Sequence, residues 1–266
     1  MNFTSAKLVY FSPTQTTRKV LEGIAQGAQI LTVEQVDLTP HGARMQILPE
    51  MHDELTIIGS PVHSGRLPSE AIFRFGRLRG NDTPAVIVVV YGNRAYEDAL
   101  LELRDLVLER GFKPVAAGAF IGEHSYSNNL TPIAVGRPDA EDIRKAKEFG
   151  RMIHEKMHNM GALDEITPLQ VPGNFPYKER PARPDVSPVT QEMICIKCEK
   201  CASVCPTAAI TVGETVVTEP GTCIRCCACI RNCPTGARIM DDPRTRKMAE
   251  YLSVNCCERK EPEIYL

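Results

Sequence analysis

Residues 195–206 read CIKCEKCASVCP and residues 223–234 read CIRCCACIRNCP. Both follow one spacing, Cys-x-x-Cys-x-x-Cys-x-x-x-Cys-Pro. The first copy supplies Cys195, Cys198, Cys201 and Cys205, and the second Cys223, Cys226, Cys229 and Cys233. Each cysteine of the second copy lies 28 positions after its counterpart, from 195 to 223 through 205 to 233, so the stretch is a duplicated module. Thiolates at i, i+3 and i+6 can wrap one face of an iron–sulfur cubane, and a fourth ligand must then come from farther away. Two plainer readings compete. Zinc sites use paired Cys-x-x-Cys knuckles and four tetrahedral ligands, so a third cysteine at i+6 in both copies is surplus to them. A disulfide framework suits a small secreted domain, whereas this chain has 266 residues and its opening residues do not read as a signal peptide.

The run resembles the signature of bacterial-type ferredoxins, in which the fourth cysteine of each copy ligates the other cluster. That resemblance implies one [4Fe-4S] cluster on Cys195, Cys198, Cys201 and Cys233. A second [4Fe-4S] cluster then takes Cys223, Cys226, Cys229 and Cys205. Three cysteines of the 11 are spare: Cys227, Cys256 and Cys257. Cys227 reads as a packed thiol beside its ligand neighbour. Cys256 and Cys257 read as incidental thiols, with a redox-active pair as the alternative.

None of the cysteines precedes Cys195, so the long first part of the chain is free of thiols. Cysteine kept for metal fits a reducing cytoplasm, and exposed cubanes fit an anaerobic host. A net charge of −2 gives no basic field for nucleic acid. No apolar run reaches the length of a membrane span; the 84–91 run is strand-sized.

Along the chain, short apolar runs at 7–11, 32–38, 55–59, 85–91 and 115–121 read as strands. Helical spacing covers 17–28, 69–77, 96–110 and 139–158. Strands and helices that alternate in this way argue for a doubly wound α/β fold around a five-stranded parallel sheet. From 163 to 190 Pro168, Pro172, Pro176, Pro181, Pro184 and Pro188 predict an extended, fairly stiff connector. After it come a small hairpin at 210–218, between the cysteine copies, and a helix from about 243 to 254. The last dozen residues carry charge and no pattern. The expected units are 1–162, the linker 163–190, the cysteine domain 191–241, and a helix and tail at 242–266.

In such a sheet, ligands sit beyond the carboxyl ends of the strands. After the first strand comes Ser12-Pro13-Thr14-Gln15-Thr16-Thr17, which leads straight into a helix. Backbone N–H groups at a helix start, with several hydroxyls beside them, form a neutral cradle for a phosphate monoester. The plain alternative is that these hydroxyls only cap the helix. The loop carries neither a P-loop Lys nor a G-x-G-x-x-G, which argues against a nucleoside triphosphate or a dinucleotide.

Ser12, Thr14 and Thr17 match the flavodoxin phosphate loop [Ser/Thr]-x-Thr-Gly-x-Thr, and here the chain resembles the flavodoxin family. Gln15 stands where flavodoxins usually carry Gly, and Gln tolerates a positive φ less well. The two halves together resemble the flavodoxin–ferredoxin fusion proteins of anaerobes. The resemblance implies FMN bound by a flavodoxin-like first domain and two [4Fe-4S] clusters held by a small α+β ferredoxin domain. Three further loops take roles by position: Pro61, Val62, His63, Ser64 and Gly65 along the flavin edge; Tyr91, Gly92, Asn93, Arg94 and Tyr96 on the pyrimidine side; and residues 122–126, His124 among them, closing over the pocket. With no Trp in the chain, stacking falls to Tyr91, Tyr96, His63 or Tyr126. Arg66 or Arg94 at the N1–O2 edge would stabilise an anionic reduced flavin.

Three functions fit this reading. The first is electron transfer between the clusters and FMN, which couples one-electron carriers to two-electron flavin chemistry. The second is a flavin-dependent reductase of a small organic substrate, with His63, Arg66, Glu123 and Tyr126 at the pocket. The third is a redox sensor. The partners expected are a redox protein, either a ferredoxin or an oxidoreductase, and a second copy of the chain. Lys197, Lys200, Arg225 and Arg231 are candidates to dock an acidic partner or to offset the charge of the clusters.

Overall fold

The computed structural model describes residues 3–52, 54–161, 167–182 and 185–266. Its centre is the most apolar run in the chain, β4 (Thr83–Tyr91), which is buried along its whole length. Ile87, Val89 and Tyr91 pack into one core, and Val86, Val88 and Val90 into the other. A parallel strand covered on both faces must bury both sets. Around it, β1 (Ser5–Tyr10), β2 (Thr32–Asp37), β3 (Leu55–Pro61) and β5 (Phe112–Ile121) pair in parallel in the order β2-β1-β3-β4-β5. This is the flavodoxin-like doubly wound order, 2-1-3-4-5. One face is covered by α1 (Thr16–Gly27) and α4 (Ala140–Asn159), through Val20, Leu21, Ile24, Ala146 and Phe149. The other is covered by α2 (Ser69–Phe75) and α3 (Ala99–Glu109), through Ala71, Phe75, Leu100 and Leu103.

The proline-rich connector is not a free spacer. Its described residues lie along α3 as a strap, with Leu169 and Val171 packed on the core. The buried carboxylate of Asp98 accepts hydrogen bonds from the Asn174 and Lys178 backbone N–H groups, at 2.9 and 2.7 Å. Glu102 accepts from Arg66, from the Leu67 N–H and from Arg180 of the strap. A strap held by buried charge-assisted bonds costs several kcal/mol to detach, because removing one partner leaves the other desolvated. Pro184 and residues 163–166 lie outside the described residues.

The cysteine domain contains β6 (Val189–Thr190), α5 (Lys200–Ser203), β7 (Ile210–Val212), β8 (Val216–Thr218), α6 (Ala228–Arg231) and β9 (Arg238–Ile239). The antiparallel pairs are β6–β9 and the hairpin β7–β8, as the sequence predicts for the hairpin. The duplication is visible in the backbone. The short helices α5 and α6 occupy equivalent positions, and each follows a left-handed residue, Glu199 at φ 59° and Cys227 at φ 60°.

The chain then returns to where it started. After α7 (Pro243–Asn255), capped by Asp242, the tail forms β10 (Glu263–Tyr265), antiparallel to β5 at the edge of the main sheet. The five parallel strands expected are all present, and a sixth, antiparallel strand completes the sheet. The Asn93 amide holds the Cys256 and Glu258 carbonyls, while the Tyr96 hydroxyl meets Glu263 and Tyr265. The tail is therefore part of the first domain, not a separate appendage.

Candidate functional site

At the carboxyl ends of β1, β3, β4 and β5 lies a cleft that encloses about 750 Å3 of space, part of it open to solvent. One end is formed by Thr14 and Thr16 of the hydroxyl-rich loop. Gln15 adopts the left-handed conformation, φ 64°, that the glycine of a flavodoxin loop would hold. Its side-chain amide donates to the Ser12 carbonyl at 3.1 Å, which fastens the turn. Helix α1 begins with no side-chain cap, so its first N–H groups lack partners within the helix. Ser12 is buried and points inward: its N–H donates to Thr39 and its hydroxyl accepts from the Arg18 N–H. The Thr17 hydroxyl is fully buried and has no hydrogen-bond partner. A helix start with no cap from its own N-terminal residue, and Thr14 and Thr16 lining the cleft beside it, fits a phosphate group, which supplies acceptors to the first N–H groups.

The side wall is a tight turn, His63-Ser64-Gly65-Arg66, closed by reciprocal backbone hydrogen bonds between His63 and Arg66. Its central residues Ser64 and Gly65 have φ 53° and 80°, the sign pattern of a mirror-image turn. A Cβ on Gly65 would also fall 2.1 Å from Glu97. Pro61, Val62, His63, Ser64, Tyr91 and Gly92 line the cleft, as do Val90 and Gly122 through Tyr126. A Cβ on Gly92 would meet the His124 ring at 2.3 Å, so this glycine lets the two loops close together.

Burial, reinforced by nearby cations, lowers both imidazoles to about 4. The cations are Arg225 and Arg180 around His63, and Arg94 and Arg231 around His124. Both rings are therefore neutral near pH 7. His124 Nδ1 accepts from the Tyr126 N–H at 3.1 Å, which leaves Nε2 to carry the proton.

Several residues expected at the cleft are used elsewhere. Ser12, Pro13, Gln15 and Thr17 shape or support the loop, and Gly65 shapes the turn, without lining the cleft. Asn93 and Tyr96 hold the C-terminal tail, and Tyr96 stacks obliquely on Tyr91 at 5.4 Å between ring centres. Arg94 pairs with Glu97, and Arg66 is buried in its pair with Glu102. Neither arginine lines the cleft.

Sequence reasoning missed two residues of this wall, Ile224 and Arg225, which arrive from the cysteine domain. The docking is specific. Arg231 of α6 pairs with Glu123 and donates to the His124 and Ser127 carbonyls. The fully buried Arg74 donates to the Pro206 carbonyl, next to Cys205, at 2.5 Å.

Beyond Ile224 lie two smaller cavities. Cys195, Cys198, Cys201 and Cys233 line one, of about 310 Å3, together with Ile196 and Arg238. Cys205, Cys223, Cys226 and Cys229 line the other, of about 300 Å3, together with Ile224 and Cys227. Among the described residues, no trio of His, Cys, Asp or Glu side chains converges on a single metal ion. Four thiols of the repeated spacing line each cavity, the donor set of an iron–sulfur cluster, with the Glu199 carboxylate also lining the first. Burial raises Cys226 well above the usual thiol range and Cys229 to about 11. These thiols become thiolates only beside a cationic metal core. Arg238 is buried between the hairpin and β6, bonded to Thr190, Thr218 and the Pro188 carbonyl. It places one positive charge against the thiol domain.

Among the described residues no helix is long and apolar enough to cross a membrane. Residues 187–247 match the 4Fe-4S dicluster domain family. None of the curated proteins matches the chain. Similar solved structures include a flavodoxin from the domain Archaea (14% identity over 58% of this chain and 99% of that one, TM-score 0.37). A Streptococcus pneumoniae flavodoxin is 16% identical over 57% and 99%, with a TM-score of 0.38. A WrbA-like flavodoxin from Agrobacterium tumefaciens is 14% identical over 59% and 99%, with a TM-score of 0.39. At such similarity the fold rests on the strand order itself. One chain thus joins a flavodoxin-like domain to a 4Fe-4S dicluster domain, the build of an iron–sulfur flavoprotein.

Proposed function

We propose that the protein transfers electrons between two [4Fe-4S] clusters and one FMN, and so couples one-electron carriers to two-electron flavin chemistry. The observation that carries this reading is the shared wall: Ile224 and Arg225, inside the Cys223–Cys226 loop, line the same cleft as His63 and Tyr126. In this reading the cysteines bind crosswise. Cys195, Cys198, Cys201 and Cys233 hold one cluster, and Cys205, Cys223, Cys226 and Cys229 the other. When bound, FMN supplies a centre that exchanges electrons singly or in pairs, whereas each cluster moves one. The loop 12–17 and the start of α1 hold its phosphate. His63, Tyr91, His124 and Tyr126 exclude water from the cleft, and neutral imidazoles leave its charge to other groups.

A redox partner protein reaches the first cluster most readily. Cys198 is exposed, and Met193, Ile196 and Val217 are exposed apolar residues of the same lobe. Anaerobic purification with iron, sulfide and FMN quantified tests the reading. About eight irons and one FMN per chain are expected; colourless protein, or zinc without a flavin, overturns it.

A second reading has its own observation. A larger cleft, of about 980 Å3, lies between residues 125–131, Cys227, Ile230, Met240 and α7, and it shares Ser125 and Tyr126 with the first. Such a cleft suits a small organic substrate of a flavin-dependent reductase. Cluster-reduced protein that turns over an organic acceptor with no second protein present would favour this reading.

A further inference from the structure

The two cysteine copies offer an internal control. Ile196 and Ile224 stand 28 positions apart at the same place in their loops, as do Lys197 and Arg225. The backbone treats each pair alike, with φ 52° at Lys197 and 55° at Arg225. Their surroundings differ. Ile196 is 64% exposed, whereas Ile224 packs against the core of the flavodoxin-like domain and lines both the flavin cleft and the second thiol cavity. Lys197 donates to the Glu214 carbonyl at 2.5 Å on the exposed side of its own lobe. Arg225 instead lines the flavin cleft, and its Nε is buried there with no hydrogen-bond partner.

Other charges near the cleft are already compensated. Arg66 is taken by Glu102, Arg94 by Glu97 and Arg180 by Glu102. Glu123, the one carboxylate of the wall, is taken by Arg231. Among the described residues, Arg225 is the only arginine or lysine lining the cleft. A buried guanidinium N–H without an acceptor carries a desolvation cost. A ligand that brings an acceptor or a negative charge removes that cost.

We propose that Arg225 is a flavin-binding residue lent by the ferredoxin-like domain. It donates to the flavin, favours the more negative reduced form, and makes the cluster of its own loop the flavin-side cluster. The inference rests on the FMN reading above. Both domains then build one site, and the flavin is held fully only when they are docked. The first cluster, with its exposed Cys198, becomes the outer one.

The test uses the full chain with both clusters loaded, titrated with FMN under anaerobic conditions, and compares wild type, Arg225→Gln, Arg225→Lys and Lys197→Gln. Arg225→Gln is expected to weaken FMN binding by about ten- to a hundredfold, the size of a lost charge-assisted hydrogen bond. It is also expected to weaken reduced FMN about tenfold more than oxidised FMN, seen as a two-electron potential lower by about 30 mV. Arg225→Lys keeps the charge and is expected to retain the potential while losing part of the affinity. Lys197→Gln, at the matching position of the other copy, is expected to change neither. Iron and sulfide contents, measured on every variant, report the clusters independently. If wild type binds FMN while Arg225→Gln keeps both affinity and potential, this inference falls and the FMN reading stands. If the Lys and Gln variants lose potential equally, the charge assignment falls. If wild type binds no FMN, the reading beneath it falls.

Discussion

The first and second cysteine copies share spacing, backbone and the placement of a short helix, yet one faces outward and the other inward. Cys198 is exposed while Cys226, 28 positions on, is buried; Glu199 is exposed while Cys227 is buried. Duplication reproduced the geometry that a cubane needs. What distinguishes the copies is how the flavodoxin-like domain covers them: it touches the first at its end, through Arg74 on Pro206 beside Cys205, and the second along its length, through Ile224 on the core and Arg231 on the 123–127 loop. A ligand set therefore fixes the kind of centre, and the contacts between domains fix its job.

The largest test of this asymmetry removes one ligand from each copy. Cys198→Ser and Cys226→Ser are each expected to lower iron from about eight to about four per chain. Their effect on the flavin is expected to differ. With Cys226→Ser, the rate at which a reduced partner protein bleaches the flavin absorbance falls to that of free FMN in solution. With Cys198→Ser it falls less, because the flavin-side cluster remains. Equal rates in the two variants would erase the distinction between outer and inner copies.

A smaller effect is expected from the packing alone. Ile224→Ala removes a side chain wedged between a thiol cavity and the main core. It is expected to cost about 2 kcal/mol, at the low end for truncating a buried isoleucine. Ile196→Ala, on an exposed side chain, is expected to be within about 0.5 kcal/mol of wild type. Urea unfolding of the cluster-loaded protein reads both. Arg231→Ala, which strips the clamp on residues 123–127, is expected to cost about 1 kcal/mol. It is also expected to speed proteolysis between the domains, a change that Ser203→Ala at the equivalent position does not share.

Much of this was legible in the chain, and what was not has a physical reason. Central strands such as β4 advertise themselves because burial on both faces forces a continuous apolar run. The thiol spacing is equally plain, since few chemistries need three cysteines per seven residues twice over. By contrast, β10 is three residues at a sheet edge, Glu-Ile-Tyr, too short for any period to show. Arg66 and Arg94 sat in the right loops for flavin contact, but Glu102 and Glu97 claim them through pairings that local spacing does not reveal. Arg225 was the reverse case. It looked like one more charge near a cluster, equivalent to Lys197, because the sequence of a duplicated module does not say which copy is covered. Gln15 shows a third limit: a residue ill-suited to positive φ holds it all the same, secured by its own side chain on Ser12.

The mildest expected effect concerns acid. His63 and His124 border the inner copy, and burial holds both near 4, against about 6.5 in an unfolded chain. Between those values the unfolded chain binds more protons than the folded one, so stability rises with pH across the window and is lost as pH falls from about 6.5 toward 4. Charging either imidazole also sets it against Arg225 or Arg231 of the cysteine domain, the second of which docks the domains. The loss is therefore expected first as loosened docking around the second cluster, before the sheet unfolds. Hydrogen exchange at pH 7 and pH 5 reads this: amides of residues 122–127 and 223–231 are expected to lose protection, while those of 195–203 change less. The double variant His63→Asn, His124→Asn, which keeps an acceptor for the Tyr126 N–H, is expected to flatten the pH dependence. A slope unchanged in that variant would place the acid-sensitive groups elsewhere and leave the two copies equally robust to protons.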